Sequence, residues 1–275
     1  MGGPLGGGVE PLGRTCRAPR NAKDHPMSPA PPLTSQDELS RRLPAAGWAV
    51  LSRAELERFT GVAPQALGRW QPLWNDLPPD HYLRGGGRYR RRRHASFLVD
   101  DGSAAFTPAP QRAHWQPLQY NALHGGIERW FEPLADVLAA DPQWAILIVG
   151  LARAARTLHG PSRWFCEAHQ FRIDTTGGIG WPTPEGAHRD GVDLVAVLLV
   201  ARHGVKGGET RVFEADGPAG QRFTLTEPWC ALLLDDARMI HETTPIQPLD
   251  AGAPGWRDTL VLTYRRGGFL GPETP

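Results

Sequence analysis

The feature that most restricts this chain is a His-x-Asp step, His188-Arg189-Asp190, set just before a long apolar run, Val192-Asp-Leu-Val-Ala-Val-Leu-Leu-Val-Ala201. A run of this length, rich in β-branched residues and bounded by loop residues, reads as a buried strand. In extended backbone residues i and i+2 share a face, so His188 and Asp190 aim an imidazole and a carboxylate at one point. His241 lies just past a second apolar run, Trp229–Asp235, and Arg257 opens a third, Trp256–Tyr264. Two histidines and one carboxylate delivered by strand ends form a facial set of metal ligands that leaves coordination positions open, the pattern of a non-haem Fe(II) site. The fold must therefore bring together the ends of strands far apart in sequence, as a double-stranded β-helix does.

Arg257 adds a second constraint. A guanidinium carried into a barrel needs an anion, because leaving it buried and unpaired is costly. A dicarboxylate cosubstrate would supply one, and the planar fork suits two carboxylate oxygens. Thr259 shares the face of Arg257 and its hydroxyl can donate to the same carboxylate. The plainer readings are a loop pair for His188 and Asp190 and a surface arginine on an edge strand for Arg257.

Residues 1–35 are rich in Gly and Pro and lack apolar periodicity, so they are expected to form a disordered tail ahead of a single domain over 36–275. Helices are expected from Asp37 to just before Gly47, over Arg53–Thr60, near Pro64, and over about 126–138. Another has Asp141 as N-cap, Pro142 as first residue and Gly160 as stop. Residues 75–93 read as a loop, with strands at 95–100 and 103–107. From 164 onward only strands are read: 164–173, 192–202, 209–214, 221–226, 229–235 and 256–265. The expected fold class is mainly β with N-terminal helices (α+β), with a jelly-roll, cupin-like core starting at about 164.

With 30 Lys+Arg against 29 Asp+Glu, no global charge draws the chain to nucleic acid. The run Arg88-Tyr-Arg-Arg-Arg-Arg-His94 is the local exception. It reads first as solvated or acid-paired, next as an active-site wall offering an Arg to a carboxylate, and last as a phosphate contact. Cys16, Cys166 and Cys230 show no metal-finger spacing and read as reduced thiols of a cytoplasmic protein. The longest apolar run, Ala145–Leu151, is far short of the ~20 residues that span a bilayer. His169 and Arg172 are three apart on one strand and face opposite sides; the sequence does not say which faces inward.

The order His188-x-Asp190, Gly207-Gly-Glu-Thr210, His241, Arg257-x-Thr259 resembles the iron- and 2-oxoglutarate-dependent dioxygenases. His169-Gln-Phe-Arg-Ile173, Pro184-Glu-Gly-Ala-His188-Arg-Asp190-Gly191, Arg257-Asp-Thr-Leu260 and Tyr89–Arg93 resemble one bacterial branch, which includes hydroxylases of free L-amino acids such as L-isoleucine. The similarity spans about residues 45–270. It implies Fe(II) on His188, Asp190 and His241, and 2-oxoglutarate on the iron with its distal carboxylate on Arg257. It also implies O2 as cosubstrate and a small-molecule substrate, a free L-amino acid, with release of succinate and CO2. Phe171 and Trp181 are candidates to line the apolar part of such a pocket. Two alternatives stand beside this reading. One is a cupin-like metalloenzyme that uses no 2-oxoglutarate; the other is a non-catalytic barrel that binds nucleic acid through Arg88–His94.

Overall fold

Seven strands form the major sheet of the computed structural model, which describes residues 1–3, 29–83 and 87–272. In chain order the strands are β1 (Trp48–Leu51), β2 (Arg90–Asp100), β3 (Ala105–Pro108), β4 (Arg163–Asp174), β5 (Leu194–His203), β6 (Val205–Gly207), β7 (Thr210–Glu214), β8 (Gly220–Phe223), β9 (Ala231–Asp235), β10 (Met239–Thr243), β11 (Ile246–Pro248) and β12 (Trp256–Arg265). The major sheet runs β1-β9-β5-β12-β4-β2-β3, and its pairs are antiparallel. A three-stranded sheet, β10-β7-β8, and a pair, β11-β6, lie apart from it in hydrogen bonding. Together they make a double-stranded β-helix whose sheets do not close on one another.

The strands alternate strictly between two environments. On β4, Trp164, Cys166 and Ala168 join the core beneath the helices, as do Leu260, Leu262 and Tyr264 on β12. Glu167, His169, Phe171 and Ile173 on β4, with Arg257, Thr259, Val261 and Thr263 on β12, line the interior pocket instead. Helices α1 (Gln36–Ala46), α2 (Arg53–Thr60), α3 (Pro64–Trp70), α4 (Asp136–Ala139) and α5 (Pro142–His159) supply the other half of that core. Trp229 meets Trp70 and Trp74 edge-on, at ring-centroid separations of 6.2 and 6.1 Å. A second apolar cluster, with Trp48, Val195, Val212 and Phe223, fills one end of the space between the sheets. The opposite end stays polar and holds the site.

Helix α5 crosses α2 at Gly150, where an added Cβ would sit 2.6 Å from both Cα and Cβ of Thr60. Gly150→Ala should therefore cost about 1–3 kcal/mol through overpacking. A urea melt reads this as a lower midpoint; an unchanged midpoint would mean the two helices separate freely.

Residues 4–28 of the predicted tail lie outside the described residues. Residues 29–35 are bonded to the body: Thr224 N donates to Pro29 O at 3.2 Å and Thr34 N to Val50 O at 2.8 Å. Two local readings are corrected. The helix expected over 126–138 is reduced to α4, because Arg129 is bridged to His114 by two backbone hydrogen bonds of 2.9 and 3.0 Å. The loop expected to run to residue 93 ends earlier, at the start of β2, since Arg90–His94 pair residue by residue with β4. Strands β1 to β3 also join the major sheet, so the β-core does not begin at residue 164. No described helix is long and apolar enough to cross a membrane.

Candidate metal centre and its pocket

His188 lies on the loop before β5, and backbone hydrogen bonds fix it to β10. His188 N donates to His241 O at 3.0 Å and His241 N to His188 O at 2.9 Å. This antiparallel bridge sets the two imidazoles side by side, ring centroids 4.6 Å apart. Asp190 lies between them: His188 Nε2 is 3.9 Å from Asp190 Oδ1 and His241 Nε2 is 3.8 Å from Oδ2. The three ligand atoms lie within 4.8 Å of one another and could hold a metal ion. His188 Nδ1 meets Gly186 O at 2.9 Å; a carbonyl only accepts, so Nδ1 carries the hydrogen and Nε2 presents its lone pair. His188 is therefore held in the tautomer that turns Nε2 toward Asp190 and His241.

The turn that delivers Asp190 is wrapped around a second carboxylate. Asp236 accepts hydrogen bonds from the backbone N–H groups of Asp190, Gly191 and Val192 at 2.7–3.1 Å. Gly191 has φ +80°, and an added Cβ would lie 2.5 Å from the Tyr120 ring, so the turn needs glycine. Gln116 Nε2 donates to Asp190 Oδ1 at 3.0 Å and orients it from the other side. Burial raises Asp190 and pushes Asp236 up to about 7, the latter with help from the Asp190 charge. Burial, then His188, drives His241 well below the usual histidine range. For His188 burial acts downward, but the carboxylates of Asp190 and Glu185 outweigh it and raise the group.

Arg257 and Thr259 face the same pocket, which has an empty volume of about 930 Å³ counted to its open mouth. Nε and one terminal nitrogen of Arg257 are buried without an acceptor. Burial, then repulsion from Arg202, brings Arg257 down to about 10, which still leaves it charged at neutral pH. His169 faces inward. Arg172 faces outward, held by Asp258 through two hydrogen bonds of 2.7 Å, so it is not available as an anion clamp in the pocket. Phe171 lines the pocket, whereas Trp181 is 44% exposed.

The basic run turns out to be a strand with two faces. Arg90 and Arg92 point inward to Asp80, at 2.8 and 3.9 Å. Arg91 and Arg93 point outward to Asp174 and Glu132, at 3.8 and 3.0 Å. Next to Arg92 lies a buried group of ligand-type side chains, His94, His114, Glu167 and His169. Two bonds lie within it: Glu167 meets His94 Nε2 at 3.1 Å and His114 Nδ1 at 3.2 Å. Burial opposes the Glu167 charge, but His114 and His94 hold its carboxyl far below the usual range. Burial drives His114 down to about 3. Arg92 donates to His169 Nδ1 at 2.7 Å, and a guanidinium in that position opposes a second cation. The group is a self-satisfied polar wall.

Gln116, Arg129, Glu167 and Glu185 are among the pocket residues that the sequence does not single out. Glu167 was accessible to strand parity, being two residues before His169. Gln116 and Arg129 sit in irregular chain that has no period to read.

The profile of the 2OG-Fe dioxygenase family matches residues 71–263. A solved structure of a bsmA homolog from Methylobium petroleophilum PM1 is 53% identical, with a TM-score of 0.83 over 87% of this chain and 96% of that one. The structure of IDO from Bacillus thuringiensis is 18% identical, with a TM-score of 0.69 over 85% of this chain and all 100% of that one. That of the Fe(II)/α-ketoglutarate-dependent dioxygenase TqaL is 18% identical, with a TM-score of 0.64 over 84% and 87%. The last two similarities concern the fold. A search of curated proteins gives no match.

Proposed function

Because the chain belongs to the 2OG-Fe dioxygenase family, whose enzymes use Fe(II) and 2-oxoglutarate, we propose that it hydroxylates a free L-amino acid. His188, Asp190 and His241 hold the iron, and Arg257 with Thr259 holds the distal carboxylate of 2-oxoglutarate. The observation that carries this reading is the shared pocket: three gathered ligand atoms and a buried guanidinium without an acceptor open into one space. When bound, iron and 2-oxoglutarate supply O2 activation, with the cosubstrate oxidised to succinate and CO2 and one oxygen atom delivered to a C–H bond.

The chain's own residues do the positioning. Gly186 fixes the tautomer of His188, and Gln116 and the Asp236 brace fix the Asp190 carboxylate. Arg257 orients the cosubstrate through its planar fork. Phe171, Val261 and Leu270 give the pocket apolar walls that keep water from the reacting carbon. The nucleic-acid alternative loses its footing, since Arg90 and Arg92 are buried and Arg91 and Arg93 are acid-paired.

The test is a succinate-release screen across free L-amino acids with Fe(II), 2-oxoglutarate and ascorbate. One or a few amino acids should raise succinate above the uncoupled background. If only peptides or oligonucleotides do so, the substrate reading fails.

A further inference from the structure

Among the described residues four arginines are buried: Arg90, Arg92, Arg129 and Arg257. Arg90 and Arg92 share Asp80. Arg129 and Arg257 have no carboxylate within the 4.0 Å of an ion pair. A buried guanidinium with no carboxylate in contact is expensive, so each of the two calls for an anionic ligand. The reading above assigns 2-oxoglutarate to Arg257. Arg129 is left, and it calls for a second carboxylate.

The surroundings of Arg129 narrow the ligand further. One terminal nitrogen donates to Gln116 Oε1 at 2.9 Å, while Nε is buried without an acceptor. Arg90, which repels Arg129 electrostatically, also has a terminal nitrogen without an acceptor. Glu185 attracts Arg129 from within the same pocket, and its Oε2 is buried without a donor. The ligand that satisfies all three is negative at one end and carries a positive N–H donor close by. Gln116, bonded to both Arg129 and Asp190, sets this polar end one side chain from the metal ligands.

We propose that Arg129, assisted by Arg90, binds the α-carboxylate of a free amino acid substrate, and that Glu185 binds its α-ammonium group. This rests on the amino-acid reading above and names the residues that would enforce it. The two unpaired guanidiniums then match two carboxylate-bearing ligands, one cosubstrate and one substrate.

The test uses the most active amino acid from the succinate screen. Arg129→Gln should raise its KM at least about 30-fold, the usual loss when one partner of a buried charge pair is removed. Arg129→Lys should recover part of that loss, and the KM for 2-oxoglutarate should not move. Glu185→Gln should raise the KM of the amino acid but not that of its deaminated analogue. A second arm needs no variant. Anaerobic calorimetry of the wild-type protein with Fe(II) and 2-oxoglutarate should show binding of the parent amino acid, and at least about tenfold weaker binding of its α-amide and N-acetyl derivatives. If Arg129→Gln raises the KM for 2-oxoglutarate instead, or if the derivatives bind as well as the parent, the assignment is overturned. Normal amino-acid turnover by Arg129→Gln would also overturn it while leaving the dioxygenase reading intact. Failure of every free amino acid to stimulate or bind the wild type would instead overturn the amino-acid reading itself.

Discussion

Asp190→Ala should abolish iron-supported turnover and leave a folded protein. Asp190 is the one carboxylate in the His188, Asp190 and His241 group, so its loss removes the anionic ligand and leaves two neutral imidazoles. It also strips Gln116 of its acceptor. Losing an outer partner of a metal ligand typically costs 10–100-fold in affinity. Losing the ligand itself should cost about 100-fold or more, with succinate release falling to background. The turn should survive, because Asp236 grips it through backbone N–H groups that an alanine keeps. Anaerobic Fe(II) titration beside a thermal melt checks both halves. Undiminished iron binding by a normally melting Asp190→Ala protein would remove the metal site from this position.

The second large effect is expected at Arg257. Arg257→Ala should raise the KM for 2-oxoglutarate by about 30-fold or more, as for truncation of one partner in a buried charge pair. Arg257→Lys keeps the charge but loses the fork, and should fall between wild type and alanine. Iron affinity should stay near normal in both. If neither substitution changes the 2-oxoglutarate dependence, the cosubstrate clamp lies elsewhere. Arg129 is then the candidate, since Arg172 is committed to Asp258 on the outer face.

The parts of this architecture that were legible in the sequence are those governed by short-range rules. The i, i+2 step of His188 and Asp190 survives because the loop that carries them pairs with β10. Helix α5 lies between Asp141 and Gly160, the capping residues that announce it. The arginines of Arg90–Arg93 are acid-paired, as the sequence suggests, but they lie on a strand and not in a loop; strand prediction looks for apolar alternation and passes over them. Here the inward face of β2 is polar, and Asp80 on another segment makes that burial tolerable. The expected helix near residue 130 is replaced by a backbone bridge between Arg129 and His114, a pairing that periodicity cannot foresee. Gln116 and Arg129 acquire meaning only through their shared contact in three dimensions, 13 residues apart in irregular chain.

The strict alternation along β4 and β12 has an evolutionary consequence. Pocket residues and residues of the helix-side core are interleaved: Phe171 and Thr263 line the pocket, while Ala168 and Leu262 belong to the helix-side core. Substitutions on one face are far less coupled to the other than neighbouring numbers suggest. A lineage can therefore exchange Phe171 to accept a different side chain while its reserve of stability stays nearly intact. Diversification of substrate range in such a scaffold should concentrate at every second position of these two strands, and libraries built to redirect the enzyme should be restricted to the same positions.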